Sequence, residues 1–168
     1  MKNHFELFGL TPAFALEAES LERSYRGIQA RIHPDRHAHA GDAERRASMQ
    51  WTTRVNEAYR TLKSPVQRAK HLLELHGVDV AFETNTQMPP EFLVRQLELR
   101  ETLAEAREPE ALEHLLAEVG RERRQLERSI EELIDAKHDF AAAAGEVRKL
   151  MFLDKLAAEI DLAFDKVE

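Results

Sequence analysis

The chain has 168 residues, 43% of them apolar and 33% charged, with only 6 Gly and 6 Pro, a composition that excludes a fibrous repeat and a disordered chain and suits one medium or two small helix-rich domains. Cysteine is absent, which excludes disulfides, thiolate nucleophiles and any cysteine-ligated zinc or iron–sulfur centre. The net charge of −7 is uneven: residues 1–76 carry 12 Lys and Arg against 9 Asp and Glu, a net +3, whereas residues 77–168 carry 12 against 22, a net −10, so the first part suits an acidic partner and the remainder excludes general nucleic-acid binding.

Phe5, Leu7, Phe8 and Leu10 predict a short apolar helix ending at Gly9 or by Thr11-Pro12. A longer helix is expected from about Glu19 to Ile32, because Leu21, Tyr25, Ile28 and Ile32 recur on one stripe. Arg23, Arg26 and Arg31 fall on its other sides and make the outer surface basic. Pro34 ends this helix by removing a donor and disfavouring helical geometry at His33, so residues 33–41 read as a loop. A third helix is expected from Asp42, as N-cap, to Leu62, with Ala47, Trp51, Val55, Ala58 and Leu62 inward. Two such helices joined by a short loop should pack antiparallel, with the first helix beside them. A fourth helical segment runs from Val66 to Gly77.

Residues 77–88 lack a helical stripe and read as a linker, which leaves a first part of residues 1–76 and a second of 89–168. Pro89-Pro90 opens the second part, where helices are expected near 90–107, 110–140 and 145–167, broken at Pro109 and Gly145 and folded into an antiparallel three-helix bundle. On the last helix Leu150, Leu153, Ala157, Ile160 and Phe164 form the core stripe. The expected fold class is therefore all-α. No apolar run approaches the roughly 18 residues of a membrane span. With no signal pattern at its start, the chain is expected in the cytoplasm.

Three features carry chemistry. His33-Pro34-Asp35 places an imidazole and a carboxylate at a proline-stiffened corner between two amphipathic helices, suited to docking on a partner's polar groups, or simply a polar turn. His33, His37 and His39 with Asp35 and Asp42 would alternatively hold zinc and support a metal-dependent hydrolase, although no His-Glu-x-x-His helix is present. On the first helix of the second part, Phe92, Leu99, Leu103 and Ala106 form a core stripe, and Leu93, Val94 and Leu97 form a second, edged by Glu98, Glu101 and Glu105. An apolar strip rimmed by acids fits a partner surface, and it equally fits packing against the first part with the glutamates solvated. No nucleophile–base pair, phosphate loop or paired-carboxylate site is found, so the chain reads as a non-enzyme without cofactor or resident metal.

The first part resembles a J domain: a short helix, a basic helix, His33-Pro34-Asp35, then a helix ending Asn56-Glu57-Ala58-Tyr59-Arg60-Thr61-Leu62-Lys63-Ser64-Pro65. The resemblance implies that His33, Pro34 and Asp35 stimulate ATP hydrolysis by a DnaK-type chaperone. Arg23, Arg26, Arg31 and Arg36 would add attraction to its acidic surface. The stretches His4 to Leu10, Arg68 to Gly77, Gln96-Leu97-Glu98-Leu99-Arg100-Glu101 and Val147 to Leu156 carry a wider likeness. Through them the whole chain is similar to the HscB family of iron–sulfur co-chaperones. His4 and His71 stand where the family leads one to expect tyrosine.

The resemblance implies an adaptor that binds the cluster scaffold IscU and delivers it to the chaperone HscA. Carried over by position, Leu93, Val94, Leu97, Glu98, Glu101, Glu105 and Phe152 would contact the scaffold, although Phe152 on its residues alone is also a core-edge aromatic. A chain without cysteine would act on a partner rather than hold the cluster by thiolates itself. The lack of a cysteine-rich zinc module points by the same resemblance to the bacterial form, and a monomer is expected. The alternative is a J-domain co-chaperone for a different client.

Overall fold

The structure, a computed structural model, describes residues 2–32, 41–80 and 88–167. Among these residues seven α-helices follow in order: α1 (His4–Leu7), α2 (Ala18–Ile32), α3 (Asp42–Lys63), α4 (Pro65–Leu75), α5 (Pro90–Glu105), α6 (Pro109–Glu131) and α7 (Phe140–Val167), with a π-helical turn, Glu132–Ala136, after α6. No strand occurs among the described residues, and the all-α class holds. The chain divides into two compact units, Met1–Leu72 and Leu73–Glu168.

In the first unit α1 is started by a reciprocal cap: the Asn3 side chain accepts from the Glu6 N–H while the Glu6 carboxylate accepts from the Asn3 N–H. Helices α2 and α3 form the antiparallel hairpin. Its register is visible in the tyrosines: Tyr25 donates to Asn56 at 2.7 Å, and Glu22, one turn earlier, meets Tyr59, nearly one turn later, at 2.5 Å. The two tyrosine rings stack at 3.9 Å. Leu21, Ile28, Val55, Ala58 and Leu62 are buried on the expected stripes, and Phe5 is fully buried beside them in sequence-distant company. Ala47, expected inward, is exposed, and the buried residues of α3 lie in its second half, at Val55, Ala58 and Leu62. Asp42 is not the N-cap of α3: Gly41 takes that position and Asp42, inside the first turn, pairs with Arg45. Residues 33–40, and with them the loop motif, lie outside the described residues.

Helix α4 ends where Gly77 adopts φ +74: the Val78 N–H bonds to the Leu73 carbonyl at 2.8 Å and the Gly77 N–H to that of Glu74 at 3.0 Å. This double closure satisfies carbonyls that the helix leaves free, and it needs a left-handed residue, hence glycine.

The second unit is a three-helix bundle. Leu99 of α5, Leu112, Leu115 and Val119 of α6, and Leu153, Leu156, Ala157 and Ile160 of α7 form its buried cluster. Pro90 and Pro109 occupy first-turn positions of α5 and α6, where a missing N–H costs nothing. The last break differs from expectation. Helix α6 gives way at Glu131 to the π-helical turn, the Lys137 N–H bonding to the Glu132 carbonyl at 2.9 Å, and His138 follows at φ +52. Asp139 then caps α7, its carboxylate accepting from the Ala142 N–H at 3.2 Å. Gly145 lies inside α7, since Ala143, Ala144 and Val147 around it are buried and the helix gains by running through.

Candidate partner-binding site

The composition of α5 decides what it can present. Leu99 is its one fully buried residue, and Phe92, Leu103 and Ala106 pack half-buried against the bundle cluster. Leu93, Val94 and Leu97 point away, 42%, 56% and 63% exposed. Six large apolar side chains are exposed among the described residues, and these three share one face of one helix, whereas Met49, Leu75 and Leu162 are scattered. Glu98, Glu101 and Glu105 are exposed one turn further on, spaced to border the same strip. Phe152 of α7 is half-buried, its ring 6.2 Å from that of Phe92 at a tilt of 56°.

Polar staples hold α5 in place. The Arg95 Nε donates to Glu122 of α6 at 2.7 Å, one Nη donates to Glu118 at 3.2 Å, and the other lies 3.5 Å from Glu98. The hydrogen bond to Glu122, opposed by partial burial, raises the Arg95 guanidinium above its ordinary pKa, so it stays charged. Further along, Arg100 donates to Glu159 of α7 at 2.7 Å. Arg95 also lines a groove of about 470 Å³ with Phe92, Glu122, Leu126 and Leu153. Sequence reading missed the Arg95 network, because Glu118 and Glu122 lie 23 and 27 residues away and no helical spacing connects them.

On α2, Arg23, Arg26 and Arg31 are exposed. Arg26 pairs with Glu22 at 3.2 Å, and Arg31 donates to the Gly27 carbonyl at 3.4 Å. The hydrogen bond from Tyr59 holds Glu22 below the usual carboxylate range and pushes Tyr59 up in return. His33, Pro34, Asp35 and Arg36 lie outside the described residues, as do His37 and His39 of the alternative metal cluster. Among the described residues no group of three or more His, Asp or Glu side chains is arranged to hold a metal ion. Nor, among them, is any helix long and apolar enough to cross a membrane.

A basic antiparallel hairpin in one unit and a three-helix bundle with an apolar, acid-rimmed face in the other make up a J-domain protein with a C-terminal helical domain. The model of the HSCB C-terminal oligomerisation domain matches residues 88–161. A co-chaperone protein HscB homolog of Ralstonia nicotianae is 49% identical over 168 residues, covering 98% of this chain and 96% of its own. The structure of the chaperone HscB from Vibrio cholerae is similar with a TM-score of 0.87 at 35% identity, over 99% of this chain and 100% of that one. The human co-chaperone protein HscB is similar at 0.92 and 26% identity, over 96% and 82%. The chain belongs to the HscB family of co-chaperones.

Proposed function

We propose that this protein binds the iron–sulfur scaffold IscU, brings it to the DnaK-type chaperone HscA, and stimulates the chaperone's ATPase so that the cluster matures and transfers. It acts in the cytoplasm and performs no catalysis itself. In this reading the J domain is residues 1–76, joined by 77–88 to the scaffold-binding bundle of 89–168. His33, Pro34 and Asp35 engage the chaperone, with Arg23, Arg26, Arg31 and Arg36 supplying long-range attraction to an acidic surface. Leu93, Val94, Leu97 and Phe152 form the apolar centre of the scaffold face, and Glu98, Glu101 and Glu105 its charged rim.

One observation carries the scaffold site: the shared outward face of Leu93, Val94 and Leu97. Leaving three large apolar side chains in water on one face, when the bundle core is complete without them, supports a face that a partner covers.

The test is a reconstituted HscA ATPase assay with and without IscU. Wild-type protein is expected to stimulate alone and to act synergistically with the scaffold. The double variant Leu93→Ala/Leu97→Ala should lose the synergy and keep basal stimulation. His33→Gln should lose stimulation altogether while its helical circular dichroism stays that of wild type. Synergy retained by the double variant would remove α5 as the scaffold site.

A further inference from the structure

We infer that Arg95 is a positioning residue for the scaffold face: it sets the rotation of the first half of α5, and so determines whether Leu93, Val94 and Leu97 are presented together. The inference rests on the scaffold reading of that face and adds to it a residue outside the strip.

Little else holds this half of the helix. From Pro90 to Glu98, Phe92 is the one apolar side chain directed at the bundle, and it is only half-buried; the fully buried anchor, Leu99, comes after the strip. Leu99, Leu103, Ala106 and the Arg100–Glu159 bridge fasten the second half, and a first half held by Phe92 alone would be free to twist or to fray at its start. Arg95 prevents both. It stands about 100° round the helix from Val94 and about 200° from Leu97, on the flank that meets α6. Its guanidinium spreads across two carboxylates one turn apart on α6, Glu118 and Glu122, at 3.2 and 2.7 Å. Two bonds to separate points on a neighbouring helix restrain rotation in a way that one cannot. A planar guanidinium supplies this fork, and a lysine ammonium does not.

The same group also acts on the rim. Its second Nη lies 3.5 Å from Glu98, so the carboxylate nearest the strip is oriented by the residue that orients the helix. Glu101 and Glu105, further along, lie beyond its reach, so Arg95 acts on the part of the face where the apolar side chains are.

The consequence is measurable in the free protein and in its complex. Arg95→Gln should accelerate hydrogen exchange at the α5 amides between Leu93 and Leu99, leave basal HscA stimulation unchanged, and weaken IscU binding by calorimetry about five- to tenfold. Arg95→Lys, which keeps the charge and loses the fork, should fall between wild type and Arg95→Gln. Binding by Arg95→Gln within twofold of wild type overturns the inference. Weaker binding with unchanged exchange overturns it too, since Arg95 would then touch the scaffold directly. If Leu93→Ala/Leu97→Ala binds IscU as wild type does, the scaffold reading itself fails and this inference falls with it. If that double variant loses binding and Arg95→Gln does not, only the inference fails.

Discussion

The imidazoles of His4 and His71 stack with centroids 4.2 Å apart, and the His4 N–H donates to Nε2 of His71 at 3.3 Å. That bond needs a lone pair on Nε2, so it exists only while His71 is neutral with its proton on Nδ1. Burial, and then the charge of His4, lower the His71 pKa from its ordinary value near 6.5. The sign of the linkage follows. The folded chain binds this proton less readily than the unfolded one, so the stability it contributes is complete above the unfolded pKa and is lost as pH falls through the folded value. Between pH 7.5 and 5.5 the urea midpoint of the wild type should therefore drop further than that of His71→Phe, which stacks on His4 and Phe5 without titrating. Equal drops in the two proteins would mean that the pair adds nothing to the pH dependence. The sequence showed only that two histidines stand where tyrosines are expected; that they stand against each other, 67 residues apart, is a property of the fold.

Helix α7 runs from Phe140 to Val167, and Gly145 sits in its second turn. A Cβ placed there would meet nothing nearer than the Arg148 Nη2, at 3.8 Å, which is ordinary contact. Gly145→Ala should therefore stabilise the protein by roughly 0.5–1 kcal/mol, the cost of an unneeded glycine within a helix. Chemical denaturation measures it, and a destabilised variant would mean that the helix starts after this residue. The expectation of a break at Gly145 failed for a physical reason. Glycine weakens a helix by about 1 kcal/mol, and burial of Ala143, Ala144 and Val147 outweighs that. The true boundary lies in Asp139, a capping residue, and in a π-helical turn whose bonding has no counterpart in a 3.6-residue pattern. Elsewhere the elements were legible, because apolar spacing and punctuation agreed: Leu21 and Ile28 on α2, Val55, Ala58 and Leu62 on α3, and Pro109 and Gly77 at ends. The second face of α5 was legible for the same reason, since one helix cannot turn two separated apolar stripes into one core. Interactions that join helices, such as Arg95 with Glu118 and Glu122 or Tyr25 with Tyr59, were not, because pair spacing along one helix carries no information about its neighbours.

At the scale of the whole molecule, the proposed function puts two docking surfaces on one chain. A net +3 over residues 1–76 and −10 over 77–168 suit partners of opposite charge, which in the proposed reading are the chaperone for the first and the scaffold for the second. If both are carried on one polypeptide, the second encounter becomes intramolecular: a scaffold held on α5 would meet the chaperone at the effective concentration set by the chain, not by the solution. That makes a prediction about mixtures. In the proposed reading His33→Gln keeps the scaffold face and loses the chaperone motif, whereas Leu93→Ala/Leu97→Ala keeps the motif and loses the face. If delivery is by a single bridging chain, an equimolar mixture of the two should stimulate HscA to the basal level of the second variant and show no synergy with IscU. If the surfaces act separately, the intact motif stimulating the ATPase while the scaffold reaches the chaperone unaided, the mixture should regain the wild-type response. The assay should be run at protein concentrations from well below to well above those at which wild type saturates, since complementation between chains held together in an oligomer would then appear as recovery that grows with concentration. Full recovery at low concentration would refute the bridging role even with both sites correctly assigned.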